Sequence, residues 1–111
     1  MVRAHAKRVK ITTTAQTTIL SFTAPKTGLY SVSVAVAVLT ASTTLTAQAT
    51  WTDPDGGAAT YTFANAVNEA VGVYTFGQRT ACVKGGTVVN LNITAGTANQ
   101  IIASGLIEEK A

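Results

Sequence analysis

From Tyr30 to Val38 the chain alternates without a break, with Tyr30, Val32, Val34, Val36 and Val38 at even positions and Ser31, Ser33, Ala35 and Ala37 at odd ones. A period of two sends successive side chains to opposite faces of a strand. The strand expected here has one bulky face and one face of small side chains. In a helix the same valines would spiral round the circumference instead of forming a stripe. Little side chain on the small face holds the backbones apart, so another sheet or subunit can approach closely. Ser31, Ser33, Ala35 and Ala37 are therefore the candidate subunit-interface residues.

The next strand repeats the pattern. Leu45, Ala47, Ala49 and Trp51 share one face, and Thr44, Thr46, Gln48, Thr50 and Thr52 the other. It stops at Asp53-Pro54-Asp55-Gly56-Gly57, where proline fixes φ and glycine supplies positive φ, the composition of a turn. Tyr61 and Phe63 then alternate with Thr60 and Thr62, so residues 45–52 and 60–63 form an expected hairpin. Further strands are expected at residues 9–14, 17–23, 71–76, 79–83, 88–93 and 100–107. Breaks fall at Pro25-Lys26-Thr27-Gly28, Gly85-Gly86 and Ala95-Gly96-Thr97. Residues 65–70 are the one stretch read as a short helical turn. Eight to nine short, regularly punctuated strands indicate an all-β protein, an antiparallel β-sandwich of jelly-roll topology. Val32, Val34, Val36, Val38, Leu91, Ile93 and Leu106 are expected inside the sandwich or at a subunit axis.

Composition sharpens this picture. With 111 residues the chain is one domain, and with aromatics at 6% its core must rest on small and β-branched side chains. Charged residues make up 12%, against about a quarter in an ordinary soluble domain. A body so poor in charge is expected to cover strand faces with copies of itself or another protein. The formal charge of +3 comes largely from one end, since Arg3, Lys7, Arg8 and Lys10 lie in the first ten residues. Residues 1–10 are thus set apart as a basic arm and residues 11–111 as the sandwich domain. The arm has four cations, no acid and no apolar periodicity, so it is expected to be disordered or ordered only by another protein chain. Four cations without interleaved aromatics are a weak nucleic-acid signature, and nucleic acid is not the expected partner.

Residues 21–34 carry a resemblance. Ser21-Phe22-Thr23-Ala24-Pro25, followed by Thr27-Gly28-Leu29-Tyr30-Ser31-Val32-Ser33-Val34, resembles a Phe-x-Ala-Pro-x-x-Gly-x-Tyr pattern of small phage virion proteins. These are similar to the trimeric jelly rolls of the tumour-necrosis-factor and complement type. Thr50 to Gly57, Val83 to Leu91 and the closing Ala103-Ser104-Gly105-Leu106-Ile107-Glu108-Glu109 fit the same pattern. The resemblance implies a homotrimeric jelly roll on a phage particle, a capsid decoration or cementing protein whose partner is the major capsid protein. Arg3, Lys7, Arg8 and Lys10 become the candidate capsid-attachment residues. The alternative is a tail-fibre or receptor-binding module that grips host glycan. The chain departs from the eukaryotic trimer families in having no collagen-like stalk and few aromatics for a trimer axis.

Catalytic chemistry finds no constellation. His5, the single histidine, is read as a solvated side chain of the arm, far in sequence from any orienting acid. Asp53 and Asp55 lack the ligand series of a calcium loop and are read as turn caps. Gly85-Gly86 lacks the ending and helix of a phosphate loop and is read as a hairpin turn. Trp51 and Tyr61 are assigned to core packing, and Cys82, the single cysteine, to the core as a small apolar residue. The N-terminal residues lack the apolar run of a secretory signal, and residues 30–39 are too few to cross a bilayer as a helix. No enzyme activity, cofactor, metal or membrane partner is expected, and the expected location is the virion.

Overall fold

In a computed structural model that describes residues 3–110, the chain is all-β. Its eight strands are β1 (Arg3–Ile11), β2 (Thr17–Thr23), β3 (Gly28–Val38), β4 (Thr43–Thr52), β5 (Ala58–Glu69), β6 (Gly72–Val83), β7 (Val88–Ala95) and β8 (Ile101–Lys110). They form two four-stranded antiparallel sheets, ordered β1-β8-β3-β6 and β2-β7-β4-β5. Consecutive strands such as β2 and β3, or β6 and β7, fall in different sheets, which is the crossing pattern of a jelly roll.

The core lies between the sheets and is built from the residues whose alternation pointed inward. Val32, Val34, Val36 and Val38 from β3 meet Leu45, Ala47 and Ala49 from β4 and Leu91 and Ile93 from β7, all buried. Each buried Val or Leu removes apolar surface worth about 1.5–3 kcal/mol from water. Small residues set the spacing. Gly105 on β8 leaves room for the tip of Leu91, where a Cβ would come within 2.6 Å.

Physical chemistry explains the Phe-x-Ala-Pro-x-x-Gly-x-Tyr segment. Tyr30 is fully buried, yet its hydroxyl donates to the Lys26 carbonyl at 2.7 Å, closing the β2–β3 loop. Phe22 packs on the Tyr30 ring at 6.0 Å between centroids. Ala24, also fully buried, exchanges backbone hydrogen bonds with the β6–β7 turn, from Ala24 N–H to the Thr87 carbonyl and from Gly86 N–H to the Ala24 carbonyl. Gly85 is required there because a Cβ would lie 2.7 Å from the Thr27 nitrogen. Gly56 at φ +94° turns the β4–β5 hairpin, with Asp53 N–H bonded to the Gly57 carbonyl.

Four expectations are corrected. Met1 and Val2 of the expected arm lie outside the described residues, but Arg3–Ile11 is not ordered by another chain: it is strand β1, paired with β8. Ala4, Ala6, Val9 and Ile11 sit opposite Ile107, Gly105, Ala103 and Ile101, so the strand has a core face of its own. Residues 65–70 form no helical turn; all but Ala70 belong to β5, which bulges past β4. Residues 71–76 and 79–83 belong to one continuous β6 from Gly72. Cys82 is exposed. It pairs with Leu29, on the opposite parity from buried Ala81 and Val83.

Candidate functional site

The outward face of the β1-β8-β3-β6 sheet carries most of the residues the sequence singled out. Across its four strands they fall into rows. Lys10, Ile102, Ala37 and Val73 make one row, and Ser104, Ala35 and Thr75 the next. His5, Leu106 and Ser33 make a third, and Arg3, Glu108, Ser31 and Thr80 a fourth. Lys110, Leu29 and Cys82 complete the face. Ser33, Ala35 and Ala37 are half-buried here, while Ser31 is buried at 4% exposure. The candidate interface residues and the basic residues, which the sequence kept apart, thus share one surface.

That surface is apolar at one end and charged at the other. At the apolar end, Val73 is 77% exposed beside Ala37 and Ile102, and Val71 next to it is 54% exposed. Single exposed valines are ordinary on a protein surface; here Val71 and Val73 adjoin Ile102 and Ala37, which makes the apolar area contiguous, the property that marks contact surfaces. At the charged end Arg3 donates from Nε to Glu108 Oε2 at 2.9 Å and from Nη2 to the same oxygen.

Two β-bulges shape the middle. One interrupts β1 between Ala6 and Val9, where Arg8 adopts φ 52° and its N–H donates to Ser104 Oγ at 3.1 Å. The other separates the Val32 and Val34 rungs of the β3–β6 ladder. Bulges bend a strand and break its pairing, and between these two lies a groove of about 510 Å³. Arg3, His5 and Lys7 line one wall; Ser33, Thr75 and Ser104 supply hydroxyls; Leu106 and Ala35 give it apolar side chains, while Val34 and Phe76, which point inward, border it with their backbone. A smaller hollow of about 140 Å³ adjoins it, lined by Arg8, Ala37, Val73 and Ile102 among others.

The remaining candidates are structural. Asp53 Oδ1 accepts from Trp51 Nε1 at 3.1 Å and Asp55 Oδ1 from Gly57 N–H at 2.9 Å, so both carboxylates cap the turn. Among the described residues no group of three or more His, Cys, Asp and Glu side chains is placed to hold a metal ion. Trp51 packs against the core. Tyr61 meets Phe63 edge-on at 5.0 Å and lies under the Arg79 guanidinium at 4.7 Å. These rings line the side of the sandwich between β5 and β6, where Phe63 also approaches Phe76.

Leu106, expected inside the sandwich or at a subunit axis, is half-buried on this outward face, because Ile101, Ala103 and Ile107 hold the inward parity of β8. The sequence reading missed Ile102 and Ser104 as members of the face, although their alternation along β8 was available. It also missed His5, whose place opposite Leu106 depends on β1 being a strand.

No family model matches the chain. No curated protein matches it either. Solved structures do. A mutant VP2 of infectious bursal disease virus, from derived particles, superposes with a TM-score of 0.64 at 14% identity, covering 97% of this chain and 32% of the viral one. Murine APRIL, a tumour-necrosis-factor-like domain, gives a TM-score of 0.57 at 13% identity, covering 96% of this chain and 97% of APRIL. A Clostridium thermocellum xylanase 10B, a carbohydrate-binding module joined to a glycosidase module and complexed with xylohexaose, gives 0.50 at 14%, covering 98% of this chain and 25% of the enzyme. The chain spans about a third of the VP2 chain it matches. At these identities the likeness is one of fold, and a fold by itself does not carry function.

Proposed function

We propose that this protein is a non-enzymatic virion component, a homotrimer that decorates and cements a phage capsid. The observation that carries the reading is the outward face of β1-β8-β3-β6. Its Ser33, Ala35 and Ala37 stripe permits close backbone approach, and exposed Val73 beside Ile102 supplies apolar area to bury. Permanent subunit interfaces bury on the order of 2,000 Å² or more and are richer in apolar surface than transient ones. The fold shared with a particle-forming viral VP2 supports the same reading.

The function is mechanical. A trimer that binds the assembled lattice and not free capsid subunits stabilises the shell by mass action. The major capsid protein is the proposed partner, and exposed Lys7, Arg8 and Lys10 on β1 are the proposed attachment residues. Sedimentation of the purified protein, with image reconstruction of the particle that carries it, tests both halves. A trimer located on the capsid surface is the expected result. A monomer at micromolar concentration that is also absent from particles overturns it.

A further inference from the structure

The groove between the two bulges has a chemistry of its own. Its volume of about 510 Å³ lies in the range of small-molecule sites, roughly 300–1,000 Å³. Such sites combine apolar walls with a few converging polar groups, and this one has Leu106 and Ala35 together with the hydroxyls of Ser33, Thr75 and Ser104. Its charge is one-sided. Glu108 is the acid of this face among the described residues, and both Arg3 donors are turned onto its Oε2. Lys7 lines the groove and has no ion-pair partner among the described residues.

We infer that the groove binds a small amphipathic anion, a carboxylate with an apolar tail. The head sits against the β1 wall, where the Lys7 ammonium and the His5 imidazole face it; Arg3 is occupied by Glu108. The tail runs over Leu106 and Ala35 toward Thr75. The hydroxyls of Ser33 and Ser104 offer donors to the carboxylate oxygens. A neutral ligand of the same shape gains the tail contacts only, and a cationic one meets like charge in Lys7. The groove lies on the face proposed for subunit contact, with Ser33 and Ala35 in both, so a bound anion and a second subunit compete for it and the inference applies to the dissociated chain.

The test is a titration of the ¹⁵N-labelled full-length chain with octanoate, octanol and octylammonium, followed by amide shifts and calorimetry. Octanoate is expected to saturate, with shifts confined to Ser33, Ala35, Thr75, Ser104 and Leu106 and their neighbours. Octanol is expected to bind several-fold more weakly and octylammonium not at all. Lys7→Glu, an exposed substitution, weakens octanoate several-fold, and added salt does the same. Equal binding of all three compounds, shifts spread elsewhere, or no saturation by octanoate overturns the inference. Sedimentation of the same samples keeps the two readings apart: a chain that stays monomeric and binds octanoate removes the trimer and keeps the groove, and a trimer whose diluted, dissociated chains ignore octanoate does the reverse.

Discussion

Gly105 on β8 and Leu91 on β7 face each other across the core, with Leu91 Cδ1 where a Cβ on Gly105 would come within 2.6 Å. The Ile19 Cδ1 methyl closes the same space at 3.4 Å. Gly105→Ala therefore overpacks the centre of the sandwich and should cost about 1–3 kcal/mol. Leu91→Ala removes the opposing group and should cost about 2–5 kcal/mol. The double variant is expected to lose less than the sum, because the new methyl enters the cavity left by leucine. Urea unfolding of the three variants measures this, and strict additivity would show that the two residues do not share a space.

Tyr30 makes a second, smaller prediction. Its hydroxyl reaches the Lys26 carbonyl from a fully buried ring. Tyr30→Phe keeps the packing on Phe22 and deletes one hydrogen bond, at a cost of about 1 kcal/mol. Amide exchange should quicken selectively in residues 24–28 and in the Gly85-Gly86 turn, which shares their backbone bonds. Uniform loosening would place the role of the hydroxyl elsewhere.

Much of the fold was legible because β3, β4 and β7 keep one parity inward along their length, and alternation is what a sequence displays. The misreadings in β1, β5 and β6 share one cause. In β1 the inward residues are Ala4 and Ala6, then Val9 and Ile11, with the parity changed at the bulge where Arg8 takes φ 52°. In β6 they are Tyr74 and Phe76, then Ala81 and Val83, changed at the bulge opposite Ser33. In β5 the rungs pass from Ala49–Tyr61 to Ala47–Ala64 and Leu45–Val67, with Ala66 at φ 51°. Each shift erases the period of two, so β1 looked like an unstructured basic arm and Cys82 like core. Of the site, the Ser33–Ala37 stripe was legible. Its union with His5 and Leu106 was not, because strand pairing and not sequence spacing brings them together.

Subunit contact through that stripe predicts the effect of Ala35→Glu. The side chain projects outward between Ser104 and Thr75, so the fold should hold while a charge enters the covered face. The expected outcome is a folded monomer by sedimentation with an unchanged circular dichroism spectrum. Cys82 offers an independent readout without mutation, since it is exposed on the same face. Its reaction with a thiol reagent should slow as protein concentration rises and association covers it. A rate independent of concentration, with Ala35→Glu still trimeric, would move the interface off this face.

The basic strand requires a substitution and not a truncation. Deleting residues 1–7 would remove the rungs from Arg3 to Ala6 and bare the β8 edge beside Ile107, so lost attachment could not be told from lost fold. Arg8→Gly separates the two. Arg8 occupies the left-handed region at φ 52°, which costs a side-chain-bearing residue roughly 1–2 kcal/mol and glycine little. Glycine also enlarges the entropy of the unfolded chain, so the net change in stability should stay within about 1 kcal/mol. Combined with Lys7→Glu and Lys10→Glu, on the exposed side of β1, it reverses the charge of the strand while leaving Ala4, Ala6, Val9 and Ile11 on the core. If β1 fastens the protein to a capsid, the triple variant keeps its unfolding midpoint and its oligomeric state but leaves particles at lower salt than the unmodified protein. Retention of the variant on particles at every salt concentration would free β1 of any attachment role.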